Sequence, residues 1–79
     1  GYVFEKIKRE QDAIKDFDQA IKLDSNNATF YENRGYVFQK IKREKDACKD
    51  YKKASLIKPE IYRKWLSSKE MTWCRNMTN

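Results

Sequence analysis

Two pairs of carboxylates have the spacing best suited to chemistry. Asp12 and Asp16, and again Asp46 and Asp50, lie four residues apart, so on a helix each pair shares one face. Paired carboxylates can divide the roles of acid and base. Here, however, the pairs recur at a fixed interval with Lys15 and Lys49 beside them, which reads as a solvated, charged surface. The 79 residues contain no histidine, which excludes a histidine-based metal site or catalytic triad. No glycine-rich phosphate loop, nucleophile elbow or CxxC motif occurs. The expectation is a protein without catalysis, cofactor or metal.

Three further features carry less chemistry. Cys48 stands where Ile14 stands in an earlier copy of the same stretch, so it reads as a small apolar core residue, and Cys74 falls near the end of the last helix. Two cysteines make no disulfide framework. Asn27-Ala28-Thr29 and Asn76-Met77-Thr78 have the N-x-T pattern that accepts a glycan in secreted proteins. With no targeting segment visible, both read as coincidental, and the chain is expected to be soluble and cytoplasmic. No apolar run approaches the roughly 18 residues of a membrane span.

These residues are positioned by a repeat. Residues 1–20 align with residues 35–54 at an offset of 34, and 14 of the 20 positions are identical. GYVFEKIKRE returns as GYVFQKIKRE, and Phe17 returns as Tyr51. Apolar residues at three- and four-residue spacing (Ala13, Ile14, Phe17, Ala20, Ile21) gather into one stripe of a helix over Gln11–Leu23. Residues 1–7 read as the second half of a first helix; a third is expected over Thr29–Ile41, a fourth over Lys45–Lys58 and a last over Glu60–Arg75, with Pro59 as the stop between the last two. Lys8-Arg9-Glu10 and Lys42-Arg43-Glu44 are the expected turns, although all six are good helix formers. Hairpins are expected at both; a straightened turn would instead give one long helix and a domain-swapped dimer. Gly35 sits in mid-helix, where glycine costs about 1 kcal/mol relative to alanine, so it is expected to admit a neighbouring helix near Ala47 and Ala54.

The pattern Tyr31, Gly35, Phe38, Ala47, Tyr51, Ala54 and Pro59 resembles the tetratricopeptide (TPR) repeat, with Gly1, Phe4, Ala13, Phe17 and Ala20 as a partial earlier copy. Arg34 departs from it, standing where a leucine is usual, and Ser25 replaces the proline. The resemblance implies an all-α fold: a TPR-like stack of antiparallel helix pairs, a right-handed α-solenoid fragment with a C-terminal capping helix. Residues 1–27 would be a partial first repeat, 28–59 a complete second repeat, 60–75 the cap and 76–79 a tail. So few units leave apolar repeat ends open. The chain is therefore expected to be a piece of a longer array, or to close its ends on copies of itself.

The same resemblance implies function. The first helix of each pair would line a concave face that binds another protein or a peptide, as an adaptor or scaffold. The lining would be Tyr2, Glu5 and Lys6; then Thr29, Glu32, Asn33, Tyr36, Gln39 and Lys40; then Arg63, Leu66, Ser67 and Glu70. Some relatives grip a C-terminal carboxylate with Lys, Asn and Arg side chains. Asn33 and Arg63 fit that set, whereas Tyr2 and Ser67 depart from it. The chain carries a net charge of +6, concentrated after residue 27, which favours an acidic or mixed partner. Nucleic acid fits less well. The lysines are interleaved with acids, and only Tyr2 and Tyr36 could stack on bases. The runner-up function is a self-associating structural subunit.

Overall fold

The computed structural model describes the backbone of residues 2–76 and the side chains of residues 5–76. Its elements are α1 (Tyr2–Leu23), α2 (Ala28–Lys40), α3 (Glu44–Ile57), α4 (Pro59–Leu66), a 3-10 turn (Lys69–Met71) and α5 (Thr72–Arg75), and no strand occurs among the described residues. The fold is all-α, as expected. The predicted tail lies mostly outside the described residues, as do Gly1 and the side chains of Tyr2 and Phe4.

The first correction is at the N-terminus. The turn expected at Lys8-Arg9-Glu10 is absent: α1 runs unbroken for 22 residues. The same four residues, Ile-Lys-Arg-Glu, do make a turn at Ile41–Glu44. There Lys42 adopts φ 64°, the Arg43 N–H donates to the Phe38 carbonyl at 2.8 Å, and the Lys42 N–H donates to the Gln39 carbonyl at 3.1 Å. This is the paired bonding of a helix C-terminus that usually ends in glycine. A lysine in that left-handed conformation costs about 1–2 kcal/mol. The contact between α2 and α3 offsets it. A Cβ on Gly35 would lie 2.8 Å from Tyr51 Cε1 and 3.2 Å from the Ala47 carbonyl oxygen, so only glycine allows this approach. The expected close packing is present, but the ring of Tyr51 fills the notch, together with the α3 backbone.

Two clusters form the core. One joins Ile14, Val37, Phe38, Ala47, Cys48, Tyr51, Met71 and Cys74; the other joins Ala28, Tyr31, Ala54 and Tyr62. Tyr51 sits at the centre of the first, edge-on to Trp65 with ring centroids 4.8 Å apart and to Trp73 at 6.5 Å. Asn27 starts α2: its Oδ1 accepts the Thr29 N–H at 3.0 Å. Pro59 opens α4, where its missing N–H removes no bond.

The second correction is at the C-terminus. One capping helix over 60–75 is expected, but α4 stops at Leu66. The Ser67 hydroxyl donates to the Arg63 carbonyl at 2.7 Å and the Ser68 hydroxyl to the Trp65 carbonyl at 2.6 Å. Arg75 then donates to the carbonyls of Leu66 at 2.9 Å and Ser68 at 2.7 Å, satisfying the helix end. The break turns the chain back over α3. Met71 and Cys74 become buried, and Trp73 packs against the same cluster. Cys48 is therefore more than an apolar filler, because a disulfide joins it to Cys74, with Cα atoms 5.3 Å apart.

Candidate functional site

Helix α2 has two faces because its residue types alternate with helical spacing. Tyr31, Gly35 and Phe38 point inward and are buried. Thr29, Asn33, Tyr36 and Lys40 follow one another at intervals of four, three and four, and all are exposed. Tyr36 is 57% exposed, unlike Tyr31, Tyr51 and Tyr62, which are buried. The Lys40 ammonium lies 4.8 Å from the centre of the Tyr36 ring, a cation–π contact that holds an apolar plate and a charge side by side. Glu10 approaches the same ammonium at 4.0 Å.

The other expected lining residues divide. Burial pushes the Tyr62 pKa up, and the Tyr62 side chain of α4 shares a core cluster with Ala28 and Tyr31 of α2. Gln39 is engaged internally: its Oε1 accepts the Tyr51 hydroxyl at 2.8 Å, and burial pushes the Tyr51 pKa up to about 12. Ser67 is likewise committed to ending α4. Leu66 is half-buried against the core, while Arg63 and Glu70 are exposed. Lys6 faces Lys40 across a groove of about 520 Å³ that also touches Ile7, Glu10, Gln11, Ile41, Lys42 and Arg43. The clefts that Glu5 lines are made by α1 residues alone. Tyr2 falls outside the described side chains.

One network was not anticipated. Arg34, at the usual leucine position, donates to both Asp50 oxygens at 2.8 and 2.7 Å and to Asp18 at 2.7 Å. It thereby ties α2 to α3 and α1. Its guanidinium also lies 5.6 Å from the Tyr31 ring centre and 5.7 Å from that of Phe38. Asp50 is only 4% exposed, so the reading of Asp46 and Asp50 as a solvated pair is corrected. Burial pushes the Asp50 carboxyl up and the Arg34 guanidinium pulls it down, burial being the larger effect. The same ion pair raises the pKa of Arg34. The signal for this network was a basic residue on an apolar stripe, sixteen residues from each of two aspartates. Asp46 pairs instead with Arg43 at 2.7 Å.

No curated protein and no solved structure matches this chain. A family model described as TPR repeat matches residues 1–42, and one described as tetratricopeptide repeat matches residues 28–61. The first alone spans more than half of the 79 residues. With a 34-residue period and a mid-helix glycine pressed onto the next helix, this chain belongs to the tetratricopeptide repeat family.

Proposed function

We propose that this chain is an adaptor or scaffold segment that takes an extended peptide or a partner helix along the exposed face of α2. TPR repeats generally mediate protein–protein interaction, and the family is typically non-enzymatic. The observation that carries the reading is the row Thr29, Asn33, Tyr36 and Lys40, with one aromatic left open beside an amide and an ammonium. Such a mix suits peptide recognition: an apolar side chain stacks on Tyr36, while Asn33 bonds the peptide backbone and Lys40 and Arg63 attract carboxylates. The net charge of +6 favours an acidic or mixed partner.

The test is titration against an array of peptides combining acidic and bulky apolar residues. Tyr36→Ala should weaken the best binder by at least about tenfold, as expected of an aromatic anchor. Leu56→Ala, at a site 78% exposed on α3, should leave it unchanged. The reading fails if no acidic peptide binds at high micromolar concentration, or if Tyr36→Ala has no effect.

One observation favours the second use, self-association: α1 passes straight through Lys8-Arg9-Glu10 and does not fold back. As for location, no helix among the described residues is long and apolar enough to cross a membrane. The expected cytoplasmic placement would make the Cys48–Cys74 bond an exception, since such bonds persist mainly in oxidising compartments. Counting free thiols in protein quenched directly from its native cells separates the two settings.

A further inference from the structure

We infer that two copies of this chain associate by exchanging the N-terminal halves of α1, each half filling a slot on the other copy's α1. The inference rests on the self-association reading and specifies its surface. In the second repeat, the stretch beginning at Gly35 folds back at Ile41–Glu44 onto α3 and, together with α4 and α5, leaves Ala47 0%, Tyr51 2% and Ala54 0% exposed. Their counterparts in the first repeat, Ala13, Phe17 and Ala20, are only half-buried. Among the described residues α2 is the one element packed on α1, so nothing takes the place that a folded-back segment would.

The occupant is identified by sequence. The segment that covers the slot in the second repeat is GYVFQKIKRE, and residues 1–10 read GYVFEKIKRE, identical at nine of ten positions. That segment cannot reach its own slot while α1 is straight. A second copy can supply it. If the pairing follows the second repeat, the two α1 helices lie antiparallel and cross near Lys8–Glu10, the stretch that forms the turn at the equivalent place. The exchange is reciprocal, so the interface is closed and two-fold. Ile7 is 43% exposed in α1, whereas its counterpart Ile41 packs against the core; in the exchanged pair Ile7 gains that contact.

The test is light scattering on the intact chain from low to high micromolar concentration, with two variants. The wild type should show twice the 9.6 kDa chain mass. Ile7→Glu adds charge at a site exposed in the single chain, so it should halve the mass at unchanged helicity. Lys8→Gly, which permits the left-handed turn seen at Lys42, should also halve it. A wild type that stays at single-chain mass throughout overturns both exchange and self-association. A dimer that survives Ile7→Glu with helicity intact overturns exchange alone, since the copies must then meet elsewhere.

Discussion

Arg34 and Gly35 are neighbours with opposite histories in the sequence. Gly35 is legible: a mid-helix glycine must have a packing reason, and its 34-residue spacing from Gly1 places it in a repeat. Replacing it by alanine should gain about 1 kcal/mol of helix propensity. It should lose about 1–3 kcal/mol by overpacking, because the new Cβ would stand 2.8 Å from a Tyr51 ring held by Trp65 and Trp73. We predict a net loss of stability in urea unfolding; a gain would mean that the notch is not closed. Arg34 is less legible, since its role depends on Asp18 and Asp50, which only the fold brings together. Arg34→Met should cost about 3 kcal/mol near neutral pH by leaving Asp50 buried without its cation. Burial already raises the Asp50 pKa, and loss of Arg34 raises it further. A carboxyl with a folded pKa above its unfolded value of about 3.9 is unfavourable where it must be charged, and the penalty fades once it is protonated. The gap between variant and wild type should therefore narrow as pH falls toward about 4, which chemical unfolding at two pH values would measure.

At the scale of elements, α2 and α3 are legible because period, turn and stop agree: a 34-residue spacing, a turn at Lys42, Pro59 after. The first joint is not legible from local sequence. Ile-Lys-Arg-Glu is helix at residues 7–10 and turn at 41–44, so its conformation is decided by what packs on either side. Glycine substitution separates the two settings. Lys42→Gly removes the left-handed penalty of about 1–2 kcal/mol but adds about 0.4–1 kcal/mol of unfolded-state entropy, for a net gain of up to about 1.6 kcal/mol. Lys8→Gly has no strain to relieve in the straight helix and should lose about 1 kcal/mol of helix propensity there, the same loss that favours folding back. Thermal unfolding should show opposite signs for one substitution at two equivalent positions. The break after Leu66 hides behind two serines, which are ordinary helix residues until their hydroxyls turn back onto the Arg63 and Trp65 carbonyls.

At the scale of the molecule, a short repeat stack is closed at one end by a segment that doubles back and is pinned to it. The Cys48–Cys74 pairing was invisible in the sequence because it depends on that doubling back. The bond spans 26 residues, and Cys74→Ser should cost about 2–4 kcal/mol by releasing that loop in the unfolded chain. Near-ultraviolet dichroism from Trp65 and Trp73 should weaken, while the helicity of α2 and α3 persists. Of the lining that the family resemblance implies, Thr29, Asn33, Tyr36 and Lys40 are exposed on α2, whereas Gln39 and Ser67 bond to their own chain, which no local pattern signals.

Whether this row meets another polypeptide is read by amide chemical-shift mapping of the isotope-labelled chain during titration with an acidic, apolar peptide. Asn33, Tyr36 and Lys40 should shift together and saturate at one affinity, with Leu56 and Lys53 unmoved. Saturating shifts centred on α3 or α5, with the α2 row unmoved, would contradict it.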